Sequence, residues 1–312
     1  MSRPAADTPL PPPEEAPTPA RMRRAWGETA VVLAPGPLAG ARLYARTRGG
    51  AEPAWPLLDT EPWRSETFYD QSPFGVPSGA APWRPDARLV EALAGIGDDA
   101  RVAEVGSGGG RNVPALLGAA SEVVVLDQSL RSVELVAAAH PVRAVRGSAL
   151  ALPFLDASFD AVVCEGVAHH TGDVERALAE VARVTRPGGR MYVTVYRSPS
   201  RYQAIYHTLG SALRAARELG TAAPAVARAI DHAAFAGYRA ATRVVKRGRT
   251  GDRDALRSVY EDYFLTPIAT FHRPDDIRAL LERAGCVVDE LAPYRNQWLV
   301  IAHRIHVPPS PR

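Results

Sequence analysis

The sequence of 312 residues predicts an α/β protein with a doubly wound, mostly parallel, seven-stranded sheet and a helical insertion after the fifth strand. Two observations support this fold class. From Pro85 onward, short apolar runs alternate with amphipathic helical stretches, which is typical of parallel strands joined by crossover helices. The alternation stops at Tyr196, gives way to helical periodicity from Arg201 to Phe264, and then returns for a last helix and two strands.

Each predicted strand is a short run of β-branched and small apolar residues. In chain order we expect the strands at Val102–Val105, Val123–Leu126, Val142–Val145, Ala161–Cys164, Met191–Val195, Val287–Leu291 and Gln297–Ala302. A first helix begins at Pro85 and ends near Gly97. The later core helices are expected at Asn112–Ala119, Leu130–His140, Asp173–Thr185 and Pro274–Ala284. Proline at the start and glycine after the end delimit the first and last of these helices.

Composition divides the chain into five segments. Residues 1–20 are rich in proline and alanine and contain too few apolar residues to form a core, so we predict a disordered tail. Residues 21–81 hold short apolar runs broken by proline and glycine, which predicts an N-terminal arm or a small subdomain. Residues 82–198 are the predicted ligand-binding core, 199–264 a helical lid insertion, and 265–312 the C-terminal part of the core sheet.

Composition also excludes several classes of protein. Apolar content of 46% and charged content of 23% are ordinary for a globular chain. No apolar run reaches the roughly 20 residues that a membrane helix needs, and the N-terminus does not resemble a signal peptide. Two cysteines, Cys164 and Cys286, have no metal-site spacing and cannot build a disulfide framework. We therefore expect a soluble, cytoplasmic protein with no metal site and no membrane insertion.

A glycine-rich turn follows the first predicted strand. Residues 104–112 read Glu-Val-Gly-Ser-Gly-Gly-Gly-Arg-Asn and lead into a helix. Glycines at such a turn let the backbone approach a ligand where a Cβ would clash, and open α/β sheets bind ligands at this edge. The fingerprint for NAD or FAD needs another glycine where this chain has Arg111. A glycine-rich turn that binds nothing is the alternative.

A carboxylate ends the second predicted strand. Asp127 follows the glycines by about twenty residues, the distance at which an acid accepts hydrogen bonds from ribose hydroxyls in nucleotide-binding sheets. It also stands where it could cap the next helix, and the two roles do not exclude each other.

Four blocks of sequence resemble class I S-adenosylmethionine-dependent methyltransferases, in particular the family that includes the ubiquinone and menaquinone biosynthesis enzymes. The blocks are residues 102–112, 123–127, 147–164 and 182–190, and they occur in the order and at the spacing of that family. The resemblance is specific from Pro82 to Tyr196 and looser in the final strands. It implies a Rossmann-like fold, S-adenosyl-L-methionine as cofactor, and methyl transfer as the activity.

The resemblance also implies which residues hold the cofactor. The methionine part would face the glycine turn, through Glu104, Gly106, Ser107, Gly108 and Gly110. The ribose would be held by Asp127 beside Gln128, the adenine by Ser148, Ala149 and Leu150, and the amino group or sulfonium would lie near Glu165.

Two positions add to this set. The family usually has aspartate where this chain has Ser148, although a hydroxyl can still accept one hydrogen bond. Tyr69 lies in the block 68–74, which resembles a segment that folds over the cofactor, so Tyr69 could reach the cofactor carboxylate. Aromatic packing of the arm is the alternative for Tyr69.

Two adjacent histidines, His169 and His170, are the candidate catalytic residues. They follow the fourth predicted strand at the ligand edge of the sheet. Histidine can accept a proton near neutral pH, which helps when the methyl acceptor is a hydroxyl, an amine or an acidic carbon. Both could instead be polar residues that are satisfied within the fold.

These observations predict a methyltransferase that acts on a small-molecule acceptor at O, N or C. We expect aromatic and histidine side chains of the insertion and its flank to close the acceptor pocket: Tyr202, Tyr206, His207, Tyr238, Tyr260, Tyr263, Phe264 and His272.

One alternative is an RNA-directed enzyme that uses a basic face of the insertion, comprising Arg239, Arg243, Lys246, Arg247 and Arg249. Charge runs are more often solvated helix faces, and no RNA-binding motif accompanies this one, which argues against nucleic acid. The other alternative binds the cofactor without catalysis. The sequence carries no signal for an oligomeric state.

Overall fold

The computed structural model describes residues 29–34, 40–45, 68–69, 86–218, 223–245 and 253–305. Within these ranges the strands are β1 Thr29–Ala34, β2 Gly40–Ala45, β3 Arg101–Val105, β4 Glu122–Asp127, β5 Arg143–Arg146, β6 Phe159–Glu165, β7 Thr185–Tyr196, β8 Cys286–Tyr294 and β9 Gln297–Arg304. They form one sheet in the order β2-β1-β5-β4-β3-β6-β7-β9-β8.

Strands β3 to β9 form the predicted seven-stranded sheet. Strands β5, β4, β3, β6 and β7 run parallel to one another, while β9 lies antiparallel between β7 and β8. The doubly wound, mostly parallel fold class predicted from the sequence is therefore confirmed. Strand β1 adds to the β5 edge in antiparallel register, with Val31 opposite Arg146, and β2 pairs with β1. The tail predicted at residues 1–20 lies outside the described residues.

Helices cover both faces of the sheet. They are α1 Ala87–Leu93, α2 Val113–Ala119, α3 Leu130–Ala139, α4 Val174–Val184 and, near the C-terminus, α9 Pro274–Arg283. Leu178 of α4 and Ile277 of α9 belong to the apolar cluster on one face. Leu89 of α1, Leu116 of α2 and Val133 of α3 belong to the cluster on the other. The amphipathic spacing of each helix therefore buries one side against the sheet.

The insertion after β7 consists of helices with a small core of their own. These are α5 Arg201–Ile205, α6 Ser211–Glu218, α7 Pro224–Val245 and α8 Arg253–Tyr260, with π-helical turns at Tyr206–Gly210 and Glu261–Leu265. Phe235 of α7 packs with Tyr260 and Phe264, and Phe68, which precedes α1 in the sequence, joins the same cluster. None of the described helices combines the length and the apolar character that crossing a membrane requires.

Candidate active site

The glycine turn after β3 depends on glycine for two separate reasons. Gly106, Gly108 and Gly110 all have positive φ angles, of 78°, 50° and 79°, which side chains other than glycine adopt at a cost. In addition, a Cβ on Gly106 would lie 2.1 Å from Cγ2 of Val167. The Gly106 N–H donates to the Leu126 carbonyl at 2.6 Å, which fixes the turn against the end of β4.

Asp127 connects the end of β4 to the glycine turn. Its carboxylate accepts hydrogen bonds from the backbone N–H of Gly108 at 2.8 Å and of Ser129 at 2.9 Å. The cap of helix α3 is Ser129, whose hydroxyl accepts from the Ser132 N–H, so Asp127 does not cap that helix itself. The carboxylate is thus held at the edge of the sheet where a ribose would lie.

A network of acidic and amide side chains lies behind the glycine turn. The Asn112 side-chain amide donates to Glu104 Oε1 at 3.0 Å and to Glu165 Oε2 at 2.8 Å, and Arg111 pairs with Glu165 at 2.6 Å. Burial raises the pKa of Glu104 to about 8, the negative charge of Glu165 adds to this, and the Asn112 hydrogen bond opposes it. Asn112 and Arg111 were not among the residues predicted from the sequence, because their role depends on this convergence of β3 and β6.

The turn after β5 is fixed by its own residues. Ser148 Oγ accepts a hydrogen bond from the Leu150 N–H at 3.2 Å, and both Ala149 and Leu150 are buried. The Gln128 carbonyl accepts from Nε of the buried Arg146 at 3.1 Å. The residues that the resemblance places around adenine and ribose therefore lie on adjacent turns, after β4 and β5.

His169 is a buried packing residue. Its side chain has no exposed surface, and its ring centroid lies 3.7 Å from that of Tyr196. Neither ring nitrogen makes a hydrogen bond to any of the residues that the structure describes. Burial lowers the pKa of His169 well below its usual value, the charges of His170 and His272 add to this, and the nearby Thr194 backbone offsets only part of it. This environment favours a neutral imidazole that packs rather than one that exchanges protons.

His170 is oriented by a backbone carbonyl. Its Nδ1 lies 2.6 Å from the Ile268 oxygen. Because a carbonyl oxygen only accepts hydrogen bonds, Nδ1 carries a proton. The other ring nitrogen, Nε2, faces Oδ1 of Asp262 at 3.9 Å.

Asp262 gathers three protein groups at one carboxylate. It comes from the π-helical turn of the insertion. Besides His170, the Tyr69 hydroxyl donates to Oδ1 at 3.5 Å and the Tyr196 hydroxyl donates to Oδ2 at 3.3 Å. Burial raises the pKa of Asp262, while the positive charge of His170 and the two tyrosine hydrogen bonds lower it. We name His170, Asp262, Tyr69 and Tyr196 the Asp262 cluster.

Asp262 was missed from the sequence. The run Glu-Asp-Tyr-Phe at 261–264 has the pattern of an ordinary helix end, and no local signal shows that its turn has π-helical geometry or faces His170. Tyr69 was predicted to approach the cofactor carboxylate. In the structure its hydroxyl lies beside Asp262 and, at 3.2 Å, Thr266.

Most of the other aromatic residues of the insertion have packing partners. The Tyr202 hydroxyl donates to the Tyr263 carbonyl at 3.0 Å and the Tyr206 hydroxyl donates to the Thr266 carbonyl at 3.1 Å. Tyr238, Tyr260 and Phe264 belong to the insertion's own apolar cluster, His207 packs beside Phe271, and the His272 ring is hydrogen-bonded to the Thr270 hydroxyl.

Of the basic face predicted from the sequence, Arg239 and Arg243 are exposed. Lys246, Arg247 and Arg249 lie outside the described residues.

Two buried polar groups at the glycine turn suit a cofactor that carries an ammonium and a carboxylate. Oε2 of Glu104 and the Ser107 hydroxyl are both buried and have no hydrogen-bond partner among the described residues. A buried polar atom without a partner is costly, and a ligand that supplies a donor or acceptor there removes the cost. The described residues contain no group of three or more potential metal ligands.

Comparisons with known proteins agree with this geometry. Residues 103–193 match the sequence model of a family described as a methyltransferase domain. A demethylmenaquinone methyltransferase from Renibacterium salmoninarum is 36% identical over 119 residues, which is 38% of this chain and 49% of that protein. The same enzyme from Mycolicibacterium paratuberculosis is 34% identical over 149 residues, 48% of this chain and 60% of that protein. The chain thus spans about half the length of these curated relatives.

One solved structure has a similar fold, and others match this chain less closely. A Rhodobacter sphaeroides chain, provisionally described as a Zn-dependent alcohol dehydrogenase, superposes with a TM-score of 0.50 at 17% identity and covers 77% of this chain and 98% of that chain. A SAM-dependent methyltransferase from Aquifex aeolicus gives a TM-score of 0.45 at 14% identity, with 77% and 98% covered. The sequence blocks, the strand order and the family match together show that residues 103–193 belong to a class I, S-adenosylmethionine-dependent methyltransferase domain.

Proposed function

We propose that the chain transfers the methyl group of S-adenosylmethionine to a small-molecule acceptor, at oxygen, nitrogen or carbon. One observation carries the proposal. At the carboxyl edge of the sheet, the glycine turn, the Asp127 carboxylate and the unpartnered Oε2 of Glu104 all converge. The resemblance to class I methyltransferases implies this arrangement for holding an adenosyl group beside a methionine group.

Each part of the cofactor has a proposed set of residues. Glu104, Ser107 and Glu165 would hold the amino and carboxylate groups of the methionine part. Asp127, with Gln128, would hold the ribose. The adenine would pack on the turn after β5, against Ser148, Ala149 and Leu150, while Gly106, Gly108 and Gly110 leave room for the backbone to approach.

The bound cofactor supplies a methyl group that is already activated. The protein must then align the acceptor, exclude water and, for a protonated acceptor, remove a proton. His170 lies at the same edge of the sheet with Nε2 directed toward the insertion. We therefore assign the base role to His170 and a packing role to His169.

The segment boundaries follow from the same reasoning. Residues 82–198 would hold the cofactor, 199–264 would cover the acceptor and 265–312 would complete the sheet, with 21–81 as an arm. The two free cysteines, Cys164 and Cys286, are both buried, and a reducing cytoplasmic compartment suits buried thiols.

Labelled methyl transfer tests the function directly. The full chain is incubated with methyl-tritiated S-adenosylmethionine and, separately, with a small-molecule extract and with total RNA. We expect label in the small-molecule fraction. Label in RNA alone would instead support the RNA-directed alternative. Calorimetric binding of the cofactor without transfer to either fraction would support the non-catalytic one.

A further inference from the structure

We propose that Asp262 of the insertion positions His170 as the base that removes a proton from an acidic hydroxyl or an acidic carbon of the acceptor. The methylated atom would then be oxygen or carbon and not nitrogen. This inference rests on the proposed function, and it narrows the acceptor to a class that the fold alone does not specify. Its basis is the direction of the two ring nitrogens of His170.

The first step concerns the proton on His170. Nδ1 is committed to the Ile268 carbonyl at 2.6 Å and must carry a hydrogen. In the neutral imidazole, Nε2 then has the lone pair. The nitrogen that can accept a proton is therefore the one that faces Asp262, 3.9 Å away.

The second step concerns the partner. Asp262 Oδ1 is beyond hydrogen-bond distance of a neutral Nε2 but within ion-pair distance of a protonated one. Catalytic hydrogen bonds are often long in the absence of substrate. Once Nε2 is protonated, the negative charge of the carboxylate stabilises the imidazolium. The Tyr196 hydroxyl at 3.3 Å holds the other oxygen of Asp262 in place.

The third step concerns the position of His170 and Asp262 relative to the glycine turn after β3. The His170 N–H donates to the Val167 carbonyl at 2.8 Å, and Val167 occupies the space beside Gly106. The turn that carries His170 therefore packs directly against the glycine turn of the proposed cofactor site.

The insertion is fixed where it supplies Asp262. The backbone N–H of Thr270 donates to the His169 carbonyl at 2.9 Å, and that of His272 donates to the Tyr196 carbonyl at 2.9 Å. These bonds tie the segment after Asp262 to the core strands. A carboxylate anchored in this way can set the position of an imidazole.

The reaction balances with these groups alone. The acceptor oxygen or carbon forms a bond to the methyl carbon, the carbon–sulfur bond breaks and its electron pair stays on sulfur as a neutral thioether. The proton of the acceptor moves to Nε2 of His170, and Asp262 balances the resulting positive charge. An amine acceptor that is already neutral would not require this pair, whereas an acidic hydroxyl or an acidic carbon would.

Nuclear magnetic resonance on the cofactor-free full chain tests the pair without any activity assay. With labelled histidine, we expect neutral His170 to be the Nδ1–H tautomer. With labelled aspartate, we expect His170→Ala to raise the pKa of Asp262 further, because the positive charge that His170 carries when it is protonated is lost. Glu261→Gln is the matched control, since Glu261 lies in the same turn but pairs with Arg257. The Nε2–H tautomer, or an Asp262 titration indifferent to His170, would overturn the proposal.

Transfer kinetics test the consequence. Asp262→Asn is expected to lower kcat for the labelled small-molecule fraction about tenfold or more, with unchanged calorimetric affinity for S-adenosylhomocysteine and a shifted pH profile. Glu261→Gln is expected to match the wild type. The double variant His170→Ala/Asp262→Asn should be no slower than His170→Ala alone. Additive losses, or label on nitrogen of the product, would contradict the inference and leave methyl transfer standing. Absence of cofactor binding in the wild type would remove the proposed function itself.

Discussion

Gly106 and Val167 are packed so closely that a single added methyl group at Gly106 would lie 2.1 Å from Cγ2 of the valine. The glycine turn after β3 and the turn that leads from β6 to His170 are therefore one packed unit. Any change that moves one of them also moves the other.

Gly106→Ala tests this contact. We expect it to destabilise the protein by about 3 kcal/mol, from overpacking together with the cost of a positive φ, and to weaken cofactor binding. Urea unfolding gives the stability change. Gly95→Ala is the matched control, because Gly95 also has a positive φ, of 72°, but nothing lies within 4 Å of an added Cβ there. Equal losses in the two variants would show that the contact with Val167 contributes nothing.

Asp127→Asn tests the ribose-binding assignment. Replacing a carboxylate that binds hydroxyls by an amide removes a charged acceptor worth about 1.5–3 kcal/mol, so the dissociation constant for S-adenosylmethionine should rise roughly tenfold to a hundredfold. Isothermal titration calorimetry measures it, with circular dichroism to verify the fold. Asp156→Asn serves as control, because Asp156 is an exposed partner of Arg183. Unchanged affinity for Asp127→Asn would remove this residue from the site.

Glu104 makes stability depend on pH. Its pKa is about 8 in the folded protein against 4.5 for an ordinary glutamate, so the folded state holds an extra proton between those values. Stability should fall as the pH rises through this window. Glu104→Gln removes the titration, and we expect it to be more stable than the wild type by about 3 kcal/mol at pH 7 but similar near pH 4. Urea unfolding at both pH values measures this difference. A wild-type advantage at pH 7 would contradict the assignment of Glu104 as a protonated carboxyl.

His169 should affect stability rather than turnover. Burial lowers the pKa of His169 well below the usual 6.5. Below pH 6.5 the unfolded chain therefore binds a proton at His169 that the folded protein does not bind. Stability is therefore lost as the pH falls below 6.5. His169→Leu should remove up to about 2 kcal/mol of this loss at pH 5 while methyl transfer continues. Thermal unfolding across the pH range is the measurement. An abolished transfer rate in the leucine variant would return His169 to the catalytic residues.

Local patterns were sufficient to predict the core strands. Strand β4 was predicted at Val123–Leu126 and extends by one residue at each end, because a run of valines bounded by polar residues leaves little choice of register. Strand β7 differs more. It begins at Thr185, although Arg-Pro-Gly-Gly at 186–189 has the composition of a turn. Thr185 pairs with Phe159 through an irregular register, and no periodicity along the sequence could reveal that pairing.

The candidate site divides in the same way. The glycine turn and Asp127 follow directly from strand ends, so nearby residues predict them. Asp262 reaches His170, 92 positions earlier in the sequence, only because a π-helical turn rotates it toward the core. Local composition predicts neither the π-helical turn nor the contact between Asp262 and His170, because both depend on how the chain folds.

The neighbouring residues Phe68 and Tyr69 touch two different parts of the molecule. Phe68 lies in the apolar cluster of the insertion, whereas the Tyr69 hydroxyl reaches Asp262. A chain trimmed to residues 103–193, the part that matches the methyltransferase family, would lose this dipeptide together with the apolar cluster and the carboxylate that it contacts. The working unit of this protein is consequently larger than its recognisable domain, and boundaries set by similarity alone would divide it.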